Sequence, residues 1–268
     1  MTADLERRFG GLRRLYGDAQ YERLRQLRIA VVGLGGVGSW AVEALARCGV
    51  AALTLIDLDH VAESNINRQV QAVGATLGQA KVQALINRIA DIHPGCSVHG
   101  VEEFVDEHNW PQLLPEPVDV VIDACDQVSA KWAMARWALG TTPRMPLVVV
   151  GAAGGKQLAH CVDVADLSDV THDLLLASLR QRVRRNHPSD PSRKEQAAKK
   201  QKPWGLRCVY SKEAVRLPSS QCDAPASNDG SLNCHGYGSS VMVTATFGMV
   251  AAQEALRLAL SPRKDFGL

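Results

Sequence analysis

Residues 29–40, IAVVGLGGVGSW, limit the fold more tightly than any other stretch of this chain. An apolar run feeds a turn that carries Gly33, Gly35, Gly36 and Gly38, and a helical pattern begins at once. The spacing of Gly33, Gly35 and Gly38 is G-x-G-x-x-G. Small residues let the backbone come close to a phosphate, and the N–H groups and dipole of a helix start attract that anion. A strand, a glycine turn and a helix in this order open a Rossmann-like sheet. The turn alone leaves two occupants open, a nicotinamide dinucleotide or ATP.

The rest of the chain repeats the alternation. Apolar runs at 28–32, 51–57, 97–101, 118–124, 146–155 and 158–164 read as strands. Helical periodicity at 38–48, 79–92 and 129–139 falls between them, and Val82, Leu85, Ile86 and Ile89 share one helix face. One or two helices are expected before the first strand. Strands alternating with helices predict an α/β fold with a mostly parallel, doubly wound sheet and a C-terminal extension. The 268 residues are read as one domain, with a nucleotide-binding core at about 28–165 and the extension at about 166–268. Within the extension, 180–202 is dense in Arg and Lys and predicts a mobile basic loop. Residues 217–235 also read as loop, and a last helix is expected from about Ser239. Its apolar run is broken by Glu254 and Arg257 and is too short for a membrane span, so a packed helix is expected.

Composition narrows the functional classes. The net charge of +2 neither demands nor excludes a polyanionic partner. The aromatic fraction of 5% suits an Ala/Val/Leu-packed core better than a stacking platform for single-stranded RNA. Cys48, Cys96, Cys125, Cys161, Cys208, Cys222 and Cys234 are odd in number, irregular in spacing and contain no C-x-x-C. With a charged, non-apolar start, they point to a reducing cytoplasm.

The residues just past the second strand favour ATP. Asp57 closes that strand, where a carboxylate accepts ribose hydroxyls in either nucleotide class. The segment DLDHVAESNINRQ then places Asp59, Asn65, Arg68 and Gln69 on the ligand side, and Lys81 comes next in GQAKVQ. A hydride-transfer site has little use for these groups. Attack of an oxygen nucleophile on phosphorus gathers negative charge on the bridging and leaving oxygens, and Arg68 and Lys81 are suited to stabilise it. Asp123 and Asp126, in IDACDQ at the end of the fourth strand, are candidate magnesium ligands, Asp126 the better placed. Asp59 either assists the metal or caps the following turn.

These segments in this order, GLGGVGSWAVEALARCGV, LTLIDLDHVAESNINRQ, GQAKV and DACDQ, resemble the ubiquitin-activating-enzyme-like adenylyltransferases, which include the molybdopterin and thiamine sulfur-carrier activators. The resemblance implies ATP and Mg2+, with the glycine turn on the phosphates, Asp57 on the ribose, Asn65, Arg68 and Lys81 on the triphosphate and Asp126 on the metal. It also implies a homodimer in which Arg68 serves the partner's ATP. RRFGGLRRLYG, GAAGG, CVYSKEA and NCHGYGSSVMVTATFGMVAA are similar to the tRNA threonylcarbamoyladenosine dehydratase branch. That branch implies ATP-driven cyclisation of threonylcarbamoyladenosine at position 37 of ANN-decoding tRNAs, with a sulfur-transfer protein as a further partner. The sulfur-carrier activators carry paired C-x-x-C zinc motifs, which this sequence lacks, so no zinc is expected.

Several readings stay open on the residues alone. Activation of a sulfur carrier's C-terminus is the alternative reaction, and a non-catalytic nucleotide-binding role is a third. Cys234 is either a nucleophile near a helix start or a small loop residue, since ring closure onto the substrate's own atoms needs no enzyme nucleophile. His235 reads as loop packing. The arginines and lysines of 180–202 are either a solvated face or contacts to tRNA phosphates.

Overall fold

Every residue of β2 (Ala52–Ile56) and all of β1 (Arg28–Val32) beyond its first residue are buried, as expected of strands covered on both sides. The computed structural model describes residues 3–186, 203–216 and 237–261. Its sheet has seven strands: β1 and β2, then β3 (Ser97–Val101), β4 (Val120–Asp123), β5 (Leu147–Val150), β6 (Val162–Asp166) and β7 (Arg207–Ser211). The spatial order is β3-β2-β1-β4-β5-β7-β6. All neighbours are parallel except β6 and β7, which run antiparallel.

Successive residues of a strand face opposite sides, and the core divides accordingly. Ile29, Val31, Leu53, Leu55, Val120 and Ile122 pack with α4 (Gly38–Arg47), α5 (Lys81–Ile92) and α8 (Val241–Leu260). Ala30, Val32, Ile56, Val121 and Val149 pack with α6 (Val128–Gly140) and α7 (Leu174–Asn186) on the other side. β1 sits between β2 and β4, where the strand order reverses, and ligands of doubly wound sheets bind at the carboxyl ends of the strands at that point.

The expected alternation is present, with three departures. The N-terminal segment forms three short helices, α1 (Leu5–Phe9), α2 (Gly11–Tyr16) and α3 (Asp18–Leu24), divided at Gly10 and at Gly17, whose φ is +76°. The basic stretch expected to be a loop from residue 180 begins as helix. α7 runs to Asn186 because Leu175, Leu176, Leu179 and Val183 are buried on one side while its arginines are good helix formers. Residues 187–202 and 217–236 lie outside the described residues, with Cys222, Cys234, His235 and most of the expected basic loop. The C-terminal extension is woven into the core. β7 is inserted between β5 and β6, and Gly248 lets α8 lie against α4. A Cβ at Gly248 would stand 2.5 Å from the Val37 carbonyl oxygen and 2.7 Å from the Trp40 Cβ. No helix among the described residues is long and apolar enough to cross a membrane.

Candidate active site

The turn after β1 is built by backbone contact. Gly33 has φ +87°, a conformation that side chains disfavour. Its N–H donates to the Ile56 carbonyl at 2.9 Å, and Ala124 N–H returns to the Val32 carbonyl at 2.8 Å. A Cβ at Gly38 would come within 1.8 Å of the Gly33 carbonyl oxygen, so the first turn of α4 closes directly on the strand end. A Cβ at Gly35 would meet nothing within 4 Å and would stand in open space at the cavity wall. Gly36 lies against the Arg68 methylenes and the Thr244 methyl.

That space is a cavity of about 490 Å3 over the strand ends. Gly33, Gly35, Gly36, Asp57, Asp59, Asn65, Arg68, Gln69, Lys81 and Asp126 all line it. Gly38 and Asp123 stand behind the lining, and Cys234 lies outside the described residues. The expected phosphate, ribose and metal groups are thus gathered in one place from four separate segments.

Asp57 is held at the rim. One carboxylate oxygen accepts the Leu34 N–H at 2.5 Å and the other accepts the Asp59 N–H at 2.8 Å. Burial pushes its carboxyl above the ordinary carboxylate range, while nearby Lys81 and these N–H groups oppose the rise. The Lys81 ammonium is buried and donates to Asp59 at 2.7 Å, with Asp57 at 3.9 Å. Asp59 therefore holds the lysine in this structure.

Arg68 is fixed through its main chain. Its carbonyl accepts the Trp40 indole N–H at 2.9 Å and faces the Thr244 hydroxyl at 3.5 Å, so α4 and α8 both locate it. Its guanidinium donates to the Ser64 carbonyl at 2.6 Å and to Asn67 at 3.0 Å. The resemblance implies that Arg68 serves a partner's nucleotide. In this structure the side chain packs on Gly36 of its own chain and lines its own cavity, because the short turn at 63–73 folds back over the glycine loop beside it. Asn65 accepts the Ala62 N–H at 3.0 Å and shapes that turn. Gln69 accepts from Gln71, which also donates to the Leu34 carbonyl at 3.0 Å.

Asp126 is exposed and has no hydrogen-bond or ion-pair partner among the described residues. Asp123 differs. It is fully buried, and one of its oxygens accepts from the Lys131 ammonium at 3.0 Å and from the Cys125 N–H at 3.1 Å. Lys131, also fully buried, donates to the Val150 carbonyl at 2.7 Å as well, and so ties β4, β5 and α6 together. Burial pushes the Asp123 carboxyl up, against the attraction of Lys131. One Asp123 oxygen is held by Lys131 and braces the loop that presents Asp126, while the other, Oδ2, is buried and has no hydrogen-bond partner among the described residues. Asp123 stands behind the cavity lining, and its part as a second metal ligand stays a proposal.

Two groups escape a reading of the sequence. Lys131 sits in an α6 buried nearly all round, AKWAMA, and a lysine inside such a run needs a buried partner, which is the signal that could have found it. The second group forms the far wall of the cavity, made by Gly151–Gly154, Lys156, His172 and Asp173, brought there by β5 and the start of α7. Among the described residues no three His, Cys, Asp or Glu side chains gather in a metal-binding cluster.

A glycine turn at the sheet's reversal point, faced by a cationic pair and a carboxylate without a partner among the described residues, agrees with the family comparison. The ThiF family model matches residues 9–266. The chain belongs to the ThiF family. Relatives of this ThiF chain include the tRNA threonylcarbamoyladenosine dehydratase of Escherichia coli (strain K12), 40% identical over 93% of this chain and 92% of the relative. That of Haemophilus influenzae is 37% identical over 94% and 92%. Among solved structures, the E. coli dehydratase in complex with ATP superposes on this ThiF fold with a TM-score of 0.79 at 39% identity, covering 97% of this chain and 96% of the other.

Proposed function

We propose that this chain is an ATP-dependent tRNA threonylcarbamoyladenosine dehydratase that closes the nucleoside's side chain into a ring at position 37 of ANN-decoding tRNAs. The observation that carries this reading is the meeting of Arg68, Lys81 and Asp126 around one glycine-lined cavity, in a chain with full-length dehydratase relatives. The whole chain serves as one ATP-binding domain, since β7 and α8 belong to the same sheet and core.

The mechanism comes from the charges. The glycine-turn backbone approaches the phosphates, and Asp57 accepts a ribose hydroxyl. A carboxylate oxygen of the threonyl group attacks phosphorus of ATP, and a phosphoanhydride bond breaks. Arg68 and Lys81 face the charge that gathers on the phosphate oxygens. The carbamoyl nitrogen or oxygen then attacks the activated carbonyl carbon. Its C–O bond breaks, the phosphoryl or adenylyl group leaves with that oxygen, and one proton goes to solvent. The tRNA has lost one water, and ATP has supplied the driving force. Asp126 fits a magnesium ion, which typically takes one or two protein carboxylates and completes its shell with water and phosphate oxygens. When bound, the ion offsets triphosphate charge. Ring closure onto the substrate's own atoms leaves Cys234 without a required step.

As further proposals, the enzyme works in the cytoplasm as a homodimer, and a sulfur-transfer protein is its protein partner. The test of the reaction uses labelled ATP with either threonylcarbamoylated tRNA or a sulfur-carrier protein. ATP consumption driven by the tRNA is the expected result. Consumption driven only by the carrier would refute it.

A further inference from the structure

The residues assigned to the nucleotide make up only part of the cavity lining. The rest includes a second wall, made by the turn after β5 and the first residues of α7. None of the groups on that wall is among those assigned to the phosphates.

Its construction centres on His172. Among the described residues His172 is the one non-glycine residue with positive φ, at +57°. A side chain in that conformation costs free energy and persists where the surroundings hold it. Here they do so from two sides. The buried Lys156 ammonium donates to the His172 carbonyl at 3.3 Å, and to the Ser211 and Glu213 carbonyls at 3.4 and 2.8 Å. The next residue, Asp173, is also buried. One of its oxygens accepts the Leu176 N–H at 2.9 Å, which caps α7, and the other accepts the Ala152 N–H at 2.8 Å. Gly151 leaves the room for this: a Cβ there would meet the Asp173 carboxylate at 2.1 Å.

The result is a mount, held on both sides, that places the exposed His172 in the cavity lining. Nδ1 meets the Thr171 hydroxyl at 2.9 Å, and Nε2 has no partner among the described residues. Lys156 has spent its three donors on carbonyls, and Asp173 is committed to backbone N–H groups. His172 is therefore the polar side chain of this wall with hydrogen-bonding capacity left over.

We propose that this second wall is the acceptor subsite, and that His172 hydrogen-bonds the polar threonylcarbamoyl side chain of the tRNA nucleoside while ATP occupies the glycine-turn end. His172 acts as a binding and positioning group, and the proposal rests on the dehydratase reading.

Three variants test it: His172→Ala, His172→Gln and His172→Gly. Steady-state kinetics are measured with threonylcarbamoylated tRNA and with ATP, and thermal unfolding is followed in parallel. His172→Gly removes the ring but suits the left-handed backbone. It is expected to match or exceed the wild-type Tm, yet to raise KM for the tRNA roughly tenfold, the scale of one lost hydrogen bond. His172→Ala is expected to raise it similarly, His172→Gln to recover most of the affinity, and KM for ATP to stay within about twofold throughout. An unchanged tRNA KM in the glycine variant overturns the proposal, as does an equal rise in both KM values. If the wild-type enzyme does not cyclise the nucleoside, the dehydratase reading itself has failed, which is a separate result.

Discussion

Gly35 and Gly38 lie three residues apart and answer to different neighbours. A methyl group at Gly38 would strike the Gly33 carbonyl oxygen, which belongs to the backbone and cannot swing away. A methyl at Gly35 would enter open space on the cavity wall. Gly38→Ala is therefore expected to destabilise the fold by about 1–3 kcal/mol, read as a lower midpoint in denaturant unfolding. Gly35→Ala should leave unfolding within about 0.5 kcal/mol of wild type but raise KM for ATP. Asp57 carries a prediction in pH. A ribose acceptor works as the carboxylate, and burial raises this carboxyl above the ordinary range. As pH falls, Asp57 takes up its proton earlier than an exposed aspartate, so ATP affinity should decline from a correspondingly higher pH. Isothermal titration across the acid range checks this, and Asp57→Asn should lose that pH dependence.

At the scale of elements, the buried Asp123–Lys131 pair joins β4 to β5 and α6. Removing one charge strands the other in the core, which costs about 3–5 kcal/mol. Lys131→Met should thus lower the unfolding midpoint strongly, and adding Asp123→Asn should restore part of the loss. Six of the seven strands and most helices are legible in the sequence because glycines, prolines and apolar runs punctuate them, while β7 (Arg207–Ser211) is not among the expected strands. β1 and β3 have the bounds that their apolar runs predict. The reversal of β6 is not legible, since it depends on β7, a strand some forty positions further along the chain. The helical start of the basic stretch is hidden because its charges outweigh, to the eye, the buried spacing of Leu175, Leu179 and Val183. The nucleotide end of the site is legible for a similar reason in reverse: phosphate-seeking residues cluster in sequence after β2. The far wall is not, because His172, Lys156 and Asp173 meet only through tertiary backbone contacts.

For the whole molecule, charge distribution matters more than its sum. A net charge of +2 is mild, yet Arg182, Arg184 and Arg185 lie together near the end of α7, and further arginines and lysines come after them in sequence. If this region meets tRNA phosphates, log Kd should rise linearly with log salt, and replacing two of these arginines should lower the slope by roughly 1–2. A filter-binding or fluorescence titration over several salt concentrations measures it, and a flat salt response would remove the region from the tRNA interface. The central claim is that the glycine-lined cavity uses ATP to drive water out of a tRNA nucleoside. Its most direct measurement is mass spectrometry of nucleosides digested from threonylcarbamoylated tRNA after incubation with the enzyme. The account predicts a nucleoside lighter by one water, formed only when ATP is present and almost absent with Arg68→Ala. An unchanged nucleoside in the complete mixture, with an active enzyme shown by ATP turnover on a carrier protein, would contradict it.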